Sequence, residues 1–182
     1  SDVANFRIEE QTVSGEHITP HVIEPSFGVD RTVYTLLAHA YNEDEVDGET
    51  RSYLSLSPTV APTDVGVFPL VSNVEELTAR AEALVDDLRE SGFSVVYDDS
   101  GSIGRRYRRQ DEVGTPFCVT VDRDGLEGDG PDSVTIRERD TARQVRVPVD
   151  SLVEELRAVA GDEKSFDELV SEYDLVAPGA DA

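Results

Sequence analysis

The chain has 182 residues, 38% of them hydrophobic, and sets 39 acidic against 16 basic residues for a formal net charge of −23. That length allows one domain of ordinary size plus a partial one, and a mean hydropathy of −0.37 leaves no stretch to span a membrane. Cys118 is the only cysteine, which excludes internal disulfides and cysteine-based metal sites; its apolar neighbours Phe117 and Val119 make it a small core residue.

Apolar periodicity runs through the whole chain, so the acidity is not that of a disordered segment. Lys164 is the only lysine and the other bases are arginines. A surface adapted to multimolar salt fits this balance, because there the Debye length is on the order of 3 Å or less and self-repulsion is screened. A halophile's protein is expected. No positively charged, apolar leader opens the chain, and a cytoplasmic location is expected.

Alternation at Phe6-Arg7-Ile8-Glu9 and a turn at Ser14-Gly15 predict a strand and hairpin. His21-Val22-Ile23 reads as a short strand. Glu24-Pro25-Ser26-Phe27-Gly28 favours neither helix nor strand. A helix opens at Arg31, with Val33, Leu36, Leu37 and Ala40 at the spacing of one buried face. A strand, a small-residue turn and a helix opening on arginine make an anion site: free backbone N–H groups, the helix dipole and the Arg31 fork converge there. Glu24 and Ser26 would hold a small cationic or hydroxyl-binding group beside that anion. On spacing alone, the same stretch is also an ordinary strand–loop–helix with a surface arginine.

The acidic stretch 42–50 is expected to be a loop and residues 53–56 a short strand. The proline-punctuated connector 57–63 marks a boundary between residues 1–60 and residues 61–182. In the second part, residues 65–71 read as a strand. Asn73 with Glu76 forms a capping-box pattern ahead of a helix buried through Leu77, Ala81, Leu84, Val85 and Leu88 and ended by Gly92. Residues 93–97 form the next strand, and the strand–helix–strand spacing predicts a parallel pair. A helix is expected over 103–112, strands over 117–121, 133–137 and 143–147, the last two antiparallel, and a Gly/Asp-rich loop over 122–132. A helix from Ser151, with Glu154 at its capping-box position, buries Leu152, Leu156, Val159 and Ala160 and closes at Gly161. A short helix over 166–173 and a mobile tail from Pro178 complete the chain. The fold class is α/β: a five-stranded mixed sheet flanked by helices, preceded by a fragment of another sheet domain.

Arg105, Arg106, Arg108 and Arg109 surround Tyr107 just after a strand's carboxyl end, where open α/β sheets bind ligands. Ile103 and Tyr107 pack inward at i and i+4, so the arginines are expected to fan over the exposed side. By charge alone this face either neutralises Asp98, Asp99, Asp111 and Glu112 or contacts phosphates and stacked bases. Gly101-Ser102-Ile103-Gly104 lacks the lysine of a phosphate-binding P-loop. Gly125 to Gly130 lies in a hairpin loop, so it is no dinucleotide fingerprint. His17, His21 and His39 lack metal-ligand spacing, and no metal site is expected.

The string from Glu24 to Arg31 resembles motif 3 of class II aminoacyl-tRNA synthetases, in the glycyl-tRNA synthetase form. Gly-Ser-Ile-Gly-Arg-Arg-Tyr at 101–107 and Val134-Thr135-Ile136-Arg137-Glu138-Arg139-Asp140 resemble the anticodon-binding domain of the archaeal and eukaryotic glycyl enzymes. The resemblance runs from about Phe6 to Tyr173. It implies that Arg31 is catalytic and holds ATP, with Gly28, Val29 and Asp30 lining the nucleotide. It implies glycine binding by Glu24, Pro25, Ser26, Phe27 and Gly28. Asp30 is one methylene shorter than a glutamate in that place. It further implies that Arg105, Arg106, Tyr107, Arg108, Arg109 and Arg137 contact the anticodon loop of glycine tRNA, and that the second part binds no cofactor. The complete enzyme would be a homodimer that makes glycyl-adenylate from glycine and ATP with Mg²⁺ and passes glycine to the tRNA. Motifs 1 and 2 are missing here, so this chain alone is expected to be inactive. The alternatives are a non-catalytic nucleic-acid-binding accessory module of synthetase descent, like the mitochondrial DNA polymerase accessory protein, and a salt-adapted protein-interaction domain.

Overall fold

The structure, a computed structural model, describes residues 15, 19–46, 48–127 and 132–176. The strand expected at 6–9, the turn at Ser14 and the tail from Pro178 lie outside the described residues. Residues 19–28 carry no regular structure, so the strand expected at 21–23 does not form. A strand needs a partner, and no described strand pairs with these residues. Helix α1 spans Val29–Ala40, starting two residues ahead of Arg31 on Gly28 as N-cap. Thr32 Oγ1 donates back to the Gly28 carbonyl at 3.0 Å. The expected apolar face is present but only partly covered: Val33, Leu36 and Leu37 remain 41–49% exposed, and only Ala40 is buried. Twelve residues are marginal for an isolated helix, so α1 depends on its C-terminal anchor, where Ser55 N–H donates to the Ala40 carbonyl at 2.7 Å.

The acidic stretch is largely a hairpin rather than a loop. Strand β1, Tyr41–Val46, pairs antiparallel with β2, Glu49–Leu54, in register from Tyr41 opposite Leu54 to Val46 opposite Glu49. Asp and Glu are poor strand formers, but Asp44 stands opposite Arg51, and this cross-strand ion pair overrides the local preference.

The main sheet is built from β3 (Val65–Pro69), β4 (Val95–Tyr97), β5 (Phe117–Val121), β6 (Ser133–Glu138), β7 (Gln144–Pro148) and β8 (Leu175–Val176), in the order β4-β3-β5-β6-β7-β8. β3 runs parallel to β4, as the spacing predicts, and also to β5; β6 and β7 add antiparallel as expected, and β8 pairs antiparallel with β7. The sixth strand is two residues long, too short for any periodic signal. Between strands lie α2 (Glu75–Glu90), α3 (Ile103–Val113), the one-turn α4 (Arg123–Glu127), α5 (Val149–Ala160) and α6 (Phe166–Glu172). Part of the stretch read as a Gly/Asp-rich loop is therefore α4.

One sheet face holds the core. Val65, Val67, Val119, Val121, Val134, Ile136, Val145 and Val147 pack against Leu77, Leu84 and Leu88 of α2, Leu152 and Leu156 of α5 and Leu169 of α6. Each such fully buried side chain contributes about 1.5–3 kcal/mol relative to exposure. The expected inward faces of α2 and α5 are the observed ones, but their expected caps are not. α2 starts on Val74 and α5 on Pro148, neither with a side-chain cap. The capping box forms instead at α6, between Ser165 and Glu168. Cys118 is buried, and burial pushes its thiol up to about 12.

The opposite face carries Gly66, Phe68, Thr120 and Arg137, and is covered by α3 and the hairpin. Gly114 ends α3 at φ 86°, and a Cβ there would sit 2.8 Å from Leu56 Cδ1 and 3.1 Å from the Leu54 carbonyl oxygen. Gly114→Ala should therefore cost at least about 1–2 kcal/mol, read as a lower urea midpoint, because left-handed backbone and contact with β2 add. An unchanged midpoint would mean that β2 shifts freely on α3.

Candidate functional site

A cleft of 440 Å³ opens on the α3 side of the sheet. Its walls are the hairpin (Val46, Glu49, Arg51), the first half of α3 from Ser102 to Arg108, and the β6–β7 ladder at Arg137 and Gln144. Ser102, in extended conformation, caps the helix start without a side-chain bond. Tyr107 is fixed by its ring, edge-on to Phe68 at 5.7 Å, and by its hydroxyl, 2.7 Å from Thr120 Oγ1. Burial pushes its phenol well above the ordinary tyrosine value. The Arg137 guanidinium lies 4.7 Å over the same ring, a cation–π contact inside the wall. Gln144 pairs with Arg137 across the ladder and lies within reach of the Tyr107 hydroxyl at 3.4 Å.

The four clustered arginines divide by role. Arg105 is exposed and Arg108 half-buried, and both line the cleft. Arg108 makes only long contacts to the hairpin, 3.3 Å to the Thr50 carbonyl and 3.5 Å to Glu49. Arg106 departs from the expected fan. It is 1% exposed, and its guanidinium donates to the backbone carbonyls of Pro69, Asp99 and Gly101. It stitches the loop after β4 to the end of β3, and no part of it faces the cleft. Arg109 points to the other side of the loop, where it donates to Asp98 at 2.5 and 2.8 Å and to Ser100. Burial opposes ionisation of Asp98, but bonds from Ser100 and Arg109 hold its carboxyl below the usual range.

Behind the cleft lies a buried ion cluster. Asp111 accepts from Arg137 at 2.8 and 3.0 Å and from Arg51 at 3.3 Å, with its own side chain 1% exposed. Arg51 also donates to Asp44 and to the carbonyls of Arg139 and Asp140. Arg139 donates to Asp140 and to the carbonyls of Gly114 and Leu56. Burial alone would lower the Arg137 pKa; bonding to Asp111 outweighs it and raises it. The Arg51 bond holds Asp44 below its ordinary value. Arg51 carries no mark in the sequence, and Asp111 enters the sequence reading only as an acid beside the α3 arginines; its partners are Arg137 and Arg51 from other strands.

Residues 24–31 stand exposed, Arg31 on the first turn of α1 and Phe27 87% exposed. Glu24, Ser26 and Arg31 are close in sequence, and the structure gathers no further wall around them from the described residues. No helix among the described residues is long and apolar enough to cross a membrane, and no group of three or more His, Cys, Asp or Glu is placed there to hold a metal ion.

The family described as "Anticodon binding domain" matches residues 64–159, which include β3 through most of α5. A glycine–tRNA ligase from Methanothrix thermoacetophila is 46% identical over 159 residues, 87% of this chain and 27% of that relative. The glycine–tRNA ligase of Archaeoglobus fulgidus is 51% identical over 151 residues, 83% of this chain and 26% of the relative. That of Aeropyrum pernix is 49% identical over 160 residues, 88% and 26%. The chain thus spans about a quarter of the length of the curated relatives it matches. A crystal structure of prolyl-tRNA synthetase from Cryptosporidium parvum, complexed with L-proline and AMP, superposes with a TM-score of 0.54 at 23% identity, over 60% of this chain and 23% of that one. This last likeness concerns the fold.

Proposed function

The chain belongs to the anticodon-binding-domain family, and from that premise we propose that it is the tRNA-reading part of a glycine–tRNA ligase together with the motif-3 end of its catalytic domain, divided near residue 60. The observation that carries this reading is the cleft: in a chain of charge −23, Arg51, Arg105, Arg108, Arg137 and Tyr107 line one cavity. An anticodon presents single-stranded, splayed bases, which arginine planes and aromatic edges bind by stacking and by hydrogen bonds to base edges. Arg105 and Arg108 are the phosphate contacts, Tyr107 and Arg137 form the inner wall, and Arg106 and Arg109 support the loop. In multimolar salt, phosphate attraction is weak, so base contacts dominate.

In the complete enzyme, Arg31 binds the ATP phosphates with Gly28, Val29 and Asp30 around the nucleotide, and Glu24, Pro25, Ser26, Phe27 and Gly28 hold glycine. Mg²⁺ would arrive on those phosphates; no cluster of carboxylates among the described residues is shaped for it. A cytoplasmic homodimer, adapted to high salt, completes the reading. The test is binding of the 182-residue chain to glycine tRNA in multimolar KCl, against the same tRNA with its anticodon bases exchanged. The exchange should cost at least tenfold in affinity, about 1.4 kcal/mol; equal binding of both would remove the base-reading role.

A second reading, a non-catalytic nucleic-acid-binding accessory module, is favoured by one observation: the cleft has walls from the hairpin, α3 and the β6–β7 ladder, whereas residues 24–31 are exposed. Arg31→Ala in the complete ligase separates the two. It should abolish ATP–pyrophosphate exchange, since Arg31 is the charge assigned to the ATP phosphates as the adenylyl group passes to glycine and pyrophosphate leaves; near-normal exchange would remove Arg31 from the active site.

A further inference from the structure

Two guanidiniums of the cleft wall share one carboxylate. Asp111 holds Arg137 by two hydrogen bonds of 2.8 and 3.0 Å and Arg51 by a longer one of 3.3 Å. Arg137 belongs to the main sheet. Arg51 belongs to the hairpin, which forms a separate two-stranded sheet and continues from α1. Arg51 is also the principal fastener of that hairpin: it is 1% exposed, and its other donors reach Asp44 and the carbonyls of Arg139 and Asp140. Charges balance within the cluster, with Arg51, Arg137 and Arg139 facing Asp44, Asp111 and Asp140.

We infer that Asp111 is a positioning residue through which occupancy of the cleft by single-stranded RNA is linked to docking of the β1–β2 hairpin; the inference rests on the reading of the cleft as the RNA site. With the hairpin docked, the cleft has its full wall, Arg51 included. With the hairpin displaced, that wall loses Val46, Glu49 and Arg51, and Asp111 keeps only Arg137. RNA that contacts the complete wall binds the docked state more tightly, and by linkage it must favour docking by the same factor. Because α1 runs directly into β1, the effect reaches the segment that carries Arg31.

A purely structural ion cluster would hold the hairpin equally with and without RNA, and amide hydrogen exchange tells the two apart. The probe is an RNA stem-loop carrying the glycine tRNA anticodon, added to saturation to the 182-residue chain. In the unaltered protein, hairpin amides within Tyr41–Val46 and Glu49–Leu54 should exchange about tenfold more slowly with RNA than without. In Asp111→Asn, which leaves every cleft-lining side chain unaltered and keeps an acceptor for Arg137, RNA should still protect α3 but no longer slow the hairpin. Equal slowing in Asp111→Asn, or α3 protection without hairpin protection in the unaltered chain, overturns the linkage. Absence of any RNA binding by the unaltered chain overturns the reading of the cleft, and the linkage with it.

Discussion

Asp111→Ala should destabilise the chain by about 3–5 kcal/mol, measured by urea denaturation followed by far-UV circular dichroism at fixed salt. The reason lies in what remains. Arg51 is 1% and Arg137 5% exposed, and both would stay in place with their shared counter-charge gone. Breaking a buried pair from one side leaves an uncompensated charge, a far larger effect than losing an exposed ion pair, which contributes about 0–1 kcal/mol. High salt cannot substitute, because the cluster lies beneath the hairpin where ions do not screen it. Asp111→Asn keeps an acceptor and should lose less. Replacing Asp111 and Arg137 together by apolar residues of similar volume should recover part of the loss, since the cost comes from the orphaned charge and not from the shape. A loss below about 1 kcal/mol in Asp111→Ala would mean that water reaches the cluster.

The main sheet was readable because its signals are local and repeated. The strand–helix–strand spacing of 65–97 fixes a parallel pair, and the apolar rows of α2 and α5 fix which helix faces turn inward. The arginine cluster was readable as a charge but not as a set of roles. Arg105 and Arg106 are neighbours in sequence, yet a helix turns them about 100° apart, and the carbonyls of Pro69, Asp99 and Gly101 decide which one is taken inside. Those carbonyls belong to the ends of two strands and could not be placed before the sheet was. The hairpin was hidden for a similar reason. Its acidic residues argue for a loop until Asp44 meets Arg51, and Arg51 in turn needs Asp111, 60 residues away. The face of α1 is the converse case: the period is right, but Val33, Leu36 and Leu37 find only partial cover among the described residues.

Arg105→Ala combined with Arg108→Ala should weaken RNA binding at moderate salt by about tenfold to a hundredfold, at about 1.4 kcal/mol or less for each contact. Each phosphate contact to a single strand contributes about 0.7 to the slope of log affinity against log salt, so the double variant should lower that slope by about 1.4. Stability should stay within about 0.5 kcal/mol, since neither side chain is buried. Arg106→Ala should do the reverse. It strips donors from carbonyls buried under the loop, at about 1–3 kcal/mol for each one left unpaired, and it should lower the urea midpoint before it touches the salt slope. The two variants differ by one helical position and by opposite readouts, which separates a binding surface from a structural clamp without reference to the fold. In multimolar salt the double variant should approach the parent, because the phosphate contribution fades there while base contacts to the rest of the cleft persist. If instead the double variant matches the parent at every salt concentration, Arg105 and Arg108 are surface charge, and the recognition must come from the inner wall alone.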